Sequence, residues 1–144
     1  MMQEKCLEKD TVNHSFKIRG CYYGDKTLPS LNDYIHEIGR NPKNAGTMKK
    51  QYMAIVINAI RRDLRHFKAT KPVLLHYVFC EPNRGQKRDY GNIFSCADKF
   101  IEDALVICKI IPDDNPNYVK GFSHTFIYTN GEPYISVEIE EVDS

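Results

Sequence analysis

Residues 87–114 of this 144-residue chain carry its clearest structural signal and read K-R-D-Y-G-N-I-F-S-C-A-D-K-F-I-E-D-A-L-V-I-C-K-I-I-P-D-D. Apolar residues recur in it at helical spacing and predict an amphipathic helix over about 92–108. The predicted buried side consists of Ile93, Ala97, Phe100, Ile101, Ala104, Leu105 and Cys108. Lys99 and Asp103, four residues apart, share the opposite side, and Asn92 lies on nearly the same face.

The sequence before this helix predicts two strands and two more helices. Residues 14–20 alternate apolar and polar side chains and predict a strand. A short helix follows, which Ser30 caps and Gly39 ends, and residues 47–67 predict the longest helix. Residues 73–80 are apolar on both faces and predict a central strand of a sheet.

Two further strands are predicted after the helix, over 122–129 and 133–142. Asn130-Gly131 lies between them and predicts a tight hairpin that pairs the two strands. The last strand alternates apolar with polar or acidic residues, so we expect one dry and one wet face of the sheet. The order β-α-α-β-α-β-β predicts an α/β (α+β) fold with a single mixed β-sheet and flanking helices.

Composition indicates an ordinary globular protein, with 42% hydrophobic and 27% charged residues. We expect residues 1–13 to form a flexible N-terminus and residues 14–144 to form a single domain. No apolar run approaches the roughly 20 residues of a membrane span, and the first residues are too polar for a signal peptide. The five cysteines have no zinc-binding spacing, and an odd, scattered set of thiols suits a cytoplasmic protein.

Charge is segregated along the chain although the net charge is only +1. Residues 40–88 hold twelve Lys or Arg and two acids, whereas residues 98–144 hold three lysines and ten acids. A basic half is what binding to a polyanion requires, because each Lys or Arg contact with a phosphate releases counterions. The alternative is that these cations lie on solvated helix faces and meet the acidic half in the fold.

Acidic residues bracket the predicted helix, with Asp89 before it and Asp113 and Asp114 after it. Carboxylates brought together beside cations can bind a divalent metal next to a phosphodiester, which is the chemistry of a metal-dependent nuclease. The structural alternative is that Asp89 is favoured by the helix dipole and that Asp113 and Asp114 are turn residues. The spacing alone leaves both interpretations open.

Several short pieces of the chain, taken in order, carry a resemblance to a known family. The central ones are Asp89-Tyr90-Gly91-Asn92, Lys99, Asp103-Ala104-Leu105 and Ile110-Ile111-Pro112-Asp113-Asp114. Others are Leu31-Asn32-Asp33-Tyr34-Ile35, Met48-Lys49-Lys50 and Asn117-Tyr118-Val119-Lys120-Gly121-Phe122. Over roughly residues 14–141 the chain resembles the RusA-like family of Holliday junction resolvases from phages and prophages. It departs from the family at Gly91, where its relatives have a second aspartate.

The resemblance implies a homodimer with a mixed sheet that makes paired, Mg²⁺-dependent cuts in a four-way DNA junction, with Mn²⁺ as an alternative ion. It implies catalytic roles for Lys99, Asp89 and Asp114 and metal-ligand roles for Asp89 and Asp114, with Asp113 as a further candidate. Asn92 and Asp103 are expected to support these groups, Asp103 by holding Lys99. The residues expected to bind DNA are Lys43, Lys49, Lys50, Arg61, Arg62, Arg65, Arg84, Lys87 and Arg88.

Gly91 leaves the activity of such a site open. Mg²⁺ keeps several waters and is bound by about one or two carboxylates plus a substrate phosphate, so Asp89 and Asp114 could still hold one ion. We therefore expect these two carboxylates to lie within reach of a single metal. The alternatives are a homodimer that binds branched DNA without cutting it and a protein–protein module that never contacts DNA.

Overall fold

A computed structural model describes residues 14–143 of the chain. The elements are β1 (His14–Arg19), α1 (Leu31–Arg40), α2 (Asn44–Asp63), β2 (Val73–Pro82), α3 (Tyr90–Ile107), β3 (Val119–Thr129) and β4 (Tyr134–Glu141). They confirm the predicted order and the single mixed sheet with flanking helices. The predicted flexible N-terminus, residues 1–13, lies outside the described residues.

The four strands are arranged in the order β1-β4-β2-β3. β2 pairs in parallel with β3 and antiparallel with β4, and β4 pairs antiparallel with β1. The apolar strand β2 is therefore central, as predicted. The predicted hairpin is wrong, because β2 lies between β3 and β4 and the Asn130-Gly131 turn connects strands that are not neighbours.

Long-range pairing explains why the local turn signal failed. Phe79 of β2 stands opposite Phe126 of β3, and their rings stack with centroids 5.0 Å apart. On the other side of β2, Phe79 faces Ile135 of β4. Both neighbours of β2 thus continue its apolar face, and this burial outweighs the preference of a two-residue turn.

The core lies between the helices and one face of the sheet. Its fully buried side chains include Phe16, Leu75, Tyr77, Phe79, Ile101, Leu105, Val137 and Ile139. On β4, Ile135, Val137 and Ile139 are buried, whereas the residues that alternate with them are only half-buried, which confirms the predicted dry and wet faces. Within residues 14–143, no helix is long and apolar enough to cross a bilayer.

Helix boundaries follow local chemistry. Ser30 caps α1 as predicted: its side chain accepts a hydrogen bond from Asp33 N (3.2 Å), and its own N–H donates to Asp33 Oδ2 (2.9 Å). α1 continues to Arg40, one residue past the predicted stop at Gly39. α2 ends at Asp63, four residues before the predicted end, and His66 then adopts a left-handed φ of 66°.

Candidate functional site

Asp89 is the N-cap of α3. Its Oδ1 accepts a hydrogen bond from the backbone N–H of Asn92 at 3.2 Å, which satisfies one of the free donors at the helix start. The helix begins at Tyr90, two residues earlier than predicted. The structural alternative for Asp89 is therefore realised, and any metal-binding role would be additional to the capping role.

Gly91 lies next to Asp89 in the first turn of α3. A Cβ atom added to Gly91 would stand 3.3 Å from Asp89 Oδ1. A carboxylate at position 91 would thus lie beside the predicted metal ligand. Gly91, where the chain departs from the pattern of the family that it resembles, therefore borders the predicted site.

Lys99 and Asp103 face a groove of about 390 Å³ between the three helices. Lys49 of α2 reaches the same groove from the opposite wall, and apolar side chains line much of the remainder. The predicted ion pair is not formed: among residues 14–143, no ion pair joins Lys99 to Asp103. The Lys99 ammonium is exposed and available to an anionic ligand.

Asp113 and Asp114 form a turn after the end of α3. Asp113 Oδ1 accepts from the N–H of Asp114 (2.7 Å), and Oδ2 accepts from Asn115 Nδ2 (3.1 Å), so the turn interpretation is also realised. Desolvation, followed by a hydrogen bond with Asp113 and the charges of Asp113 and Asp103, raises the pKa of Asp114. Lys49, Asp103, Asp113 and Asp114 together line a hollow of about 290 Å³.

The helix keeps Asp89 and Asp114 apart within one protomer. Asp89 and Asp103 are separated by fourteen residues of α3, or about 21 Å at the helical rise, and Asp114 adjoins Asp103. The expectation that one ion reaches both carboxylates is thus wrong for a single protomer, because the turn at 113–114 does not fold back along the helix. Among the residues that the structure describes, no group of three or more His, Cys, Asp or Glu side chains is arranged to hold a metal ion.

A second pair of carboxyl groups, which we did not predict as a site, lies on α3. Tyr77 Oη donates to Asp98 Oδ1 at 2.5 Å. Burial, a hydrogen bond with Asp98 and the charges of Asp98, Asp114 and Asp103 raise the pKa of Glu102 to about 9. Glu102 therefore holds a proton at neutral pH beside the Asp98 carboxylate. The sequence signal for this pair is its i, i+4 spacing, which places two acids on one helix face.

Arg88 requires a correction, since it does not belong to the DNA-binding set. Its side chain is only 11% exposed. Nε and Nη2 donate to the two oxygens of Glu81 at 2.9 and 2.8 Å, and Nη1 donates to Leu28 O and Asp33 Oδ2 at 2.9 and 3.2 Å. These bonds tie the loop before α3 to the start of α1, and they leave the guanidinium unavailable to a phosphate.

The other predicted DNA-binding side chains are exposed. Lys43, Lys49 and Lys50 lie at the start of α2, and Arg61 and Arg65 lie near its end. Arg62 is partly engaged by Asp63, with Nε 2.8 Å from Oδ1. Arg84 and Lys87 precede α3. Lys49 is the cation that borders both the Lys99 groove and the Asp113–Asp114 hollow.

Comparison with known proteins gives no assignment. No known protein-family model matches the chain, and no curated protein matches it at a significant level. The resemblance over residues 14–141 therefore rests on the motifs in the sequence.

Proposed function

We propose that the protein is a structure-selective endodeoxyribonuclease that cuts branched DNA, with Mg²⁺ or Mn²⁺ as its metal and the four-way junction as its substrate. The observation that carries the proposal is the crowding of carboxyl groups around the last turns of α3, directly beside Lys49. Burial, followed by hydrogen bonds with neighbouring carboxyl groups and by their charges, raises the pKa of both Asp114 and Glu102. A divalent cation removes this repulsion, and perturbed carboxylates in a hollow are typical of functional sites.

The roles of the side chains follow from their positions. Asp113 and Asp114 would hold the metal, whose chemistry would be to polarise a scissile phosphate and to lower the pKa of a bound water. Lys99 and Lys49 stand at the neighbouring groove, where their ammonium groups would orient the phosphate and offset its developing charge. The exposed cations of α2 would bind the DNA backbone, since a junction is recognised by shape more than by base sequence.

Asp89 can join this site only from a second protomer, because the helix separates it from Asp114 within one chain. A homodimer with antiparallel α3 helices would bring Asp89 of one protomer to Asp114 of its partner, twice. Two equal sites related by a two-fold axis suit the paired cuts that a four-way junction requires.

The second candidate is a homodimer that binds branched DNA without cutting it. Gly91 favours this alternative, since a side chain at position 91 would lie next to Asp89 and glycine supplies no carboxylate there. The two candidates share the DNA-binding surface and differ only in catalysis. Junction binding that persists in EDTA, without nicking in Mg²⁺ or Mn²⁺, would select the second.

The test is cleavage of a labelled synthetic four-way junction by the whole chain in Mg²⁺, Mn²⁺ or EDTA. We expect metal-dependent cuts that Asp114→Asn and Lys99→Met abolish, whereas the control Asp143→Asn, at an exposed acid on the terminal segment, cuts normally. A mixing experiment tests the shared site. Asp89→Asn and Asp114→Asn chains, inactive separately, should form mixed dimers with one intact site and so nick one strand. Absence of nicking in the mixture, despite an active parent protein, would refute the sharing of ligands.

A further inference from the structure

The two edges of the sheet are protected very differently. On β1, side chains of α2 cover the outer edge: Lys17 N donates to Asp63 Oδ2 at 2.9 Å, and Arg62 Nη2 donates to Lys17 O at 2.5 Å. These bonds occupy both backbone groups of Lys17 in the middle of the six-residue strand β1, so another strand could pair along this edge only by displacing them.

β3, the other edge, is long and open. It has eleven residues and carries a single charged side chain, Lys120. In the described part of the chain, no side chain hydrogen-bonds to the outward backbone groups of residues 120–128. Phe122 and Ile127 are 44% and 40% exposed. Natural edge strands are usually guarded by charges, proline or bulges, so an unguarded strand of this length indicates a pairing site.

We propose that β3 pairs antiparallel with β3 of a second copy of this chain, so that two four-stranded sheets join into one of eight strands. Full overlap of Val119–Thr129 centres the pairing on His124. In this register Phe122 stands opposite Phe126 of the second copy, and Lys120 stands opposite Tyr128. Aromatic pairs are favourable cross-strand contacts, and Lys120, the single charged side chain of the strand, does not face its own copy.

The occupant is a second copy because the β3 edge is complementary to itself and because, within residues 14–143, side chains of α2 engage the β1 edge but none engages the outward backbone of β3. If both edges were open, β3 of one molecule could pair with β1 of the next and build a fibre. With β1 covered, pairing at β3 uses the same strand twice and ends at a dimer. This inference rests on the two-fold dimer of the proposed function and assigns the surface that forms it.

Two variants with substitutions at the same positions test the interface and its register. Residues 123 and 125 have exposed side chains and stand opposite each other across the proposed two-fold axis. Ser123→Lys/Thr125→Lys brings four lysines together, and we expect the dimer to weaken at least roughly tenfold. Ser123→Glu/Thr125→Lys places opposite charges across the axis, and we expect it to stay dimeric. Ser15→Lys, on the covered edge, is the control for an added surface charge.

Analytical ultracentrifugation of the whole chain gives the readout, with circular dichroism to verify folding. A parent protein that sediments as a 16.7 kDa monomer at micromolar concentration would overturn the interface. So would a folded double-lysine variant whose dimer dissociates at the same protein concentration as the parent dimer. If the double-lysine variant does not fold, hydrogen exchange of the parent protein decides. Protection of amides 119–129 that grows with protein concentration supports the interface, and protection independent of concentration overturns it. A dimer that cuts no junction would refute the nuclease proposal alone.

Discussion

Introducing a carboxylate at position 91 tests the start of α3 directly. In Gly91→Asp the new Cβ would stand 3.3 Å from Asp89 Oδ1, so two carboxylates would lie side by side. At about 5 Å in a water-like dielectric, their repulsion is on the order of 1 kcal/mol. An acid in the first helical turn gains roughly 0.3–1 kcal/mol from the helix dipole, and glycine is the poorer helix former by about 0.4 kcal/mol. The free energy of unfolding without metal should therefore change by less than about 1 kcal/mol.

Bound metal should make the added charge at position 91 stabilising. A carboxylate that tightens ion binding by roughly tenfold adds about 1.4 kcal/mol to the unfolding free energy at saturating Mg²⁺. In a chain of this size that raises the melting temperature by roughly 3–6 °C. Cleavage in Mg²⁺ should rise at least about tenfold if the third ligand acts on the reacting ion. Junction affinity in EDTA should stay nearly constant, because exposed cations elsewhere hold the DNA.

The assay combines thermal melts across a Mg²⁺ titration, cleavage of a labelled junction and gel shifts in EDTA. Gly39→Asp is the matched control: Gly39 also lies in a helix, and its added Cβ would have no neighbour within 4 Å. The reasoning fails if Gly91→Asp and Gly39→Asp show the same cleavage and the same metal-induced rise in melting temperature. Position 91 would then not face a metal, and the alignment of the Asp89-Tyr90-Gly91-Asn92 motif would be wrong.

Three further predictions concern the fold and the DNA surface. The pKa of Glu102 is raised from 4.5 to about 9, so the stability that its proton brings is fully present below about pH 4.5 and is lost as the pH rises through 9. Glu102→Gln cannot lose this proton and should flatten the decline. In urea unfolding at pH 8 we expect it to be more stable than the parent protein by about 1–2 kcal/mol, a value reduced because Glu102 is partly exposed. Arg88→Met should lower the unfolding free energy by roughly 3–5 kcal/mol, because it leaves the 7%-exposed carboxylate of Glu81 without its partner. The control Arg84→Met, at a 74%-exposed site, should change the unfolding free energy by less than about 1 kcal/mol. Junction affinity should fall with salt on a log–log slope of several units, about 0.9 for each phosphate contact, and a slope near zero would mean that the basic half does not face DNA.

Local signals in the sequence were sufficient for the helices and for the dry side of the sheet. The capping box at Ser30 and the apolar spacing of α3 act within a few residues, so they could be recognised without knowing the fold. The Asn130-Gly131 turn is equally local, yet it misled. Whether two strands pair depends on what else competes for their edges, and the competitor β2 lies far away in the sequence.

The candidate site was less predictable for the same reason. Arg88 has the sequence context of a DNA-binding cation, but Glu81 and Asp33, seven and fifty-five positions before it, occupy its donors. The ion pair expected between Lys99 and Asp103 is absent from the described residues, although the two are four apart on one helix and line the same groove. The length of α3 sets the distance between its ends, and this length could be read from the sequence. The separation of Asp89 from Asp114 became clear only from the structure, in which the segment after α3 does not fold back.

Two independent observations favour the same two-fold axis. One is the open edge of β3, and the other is the separation of Asp89 from Asp114 along α3. α3 moves with β3, because the Tyr90 ring at the start of the helix stacks on Phe126 near the end of the strand with centroids 3.9 Å apart. α3 connects β2 to a parallel β3, so it runs antiparallel to both strands. A two-fold axis at His124 that reverses β3 therefore also reverses α3, and the Asp89 end of one helix faces the Asp114 end of the other. Ser123→Lys/Thr125→Lys should accordingly weaken cleavage together with the dimer, whereas Ser123→Glu/Thr125→Lys should preserve both. Asp114→Asn should abolish cleavage and leave the dimer intact.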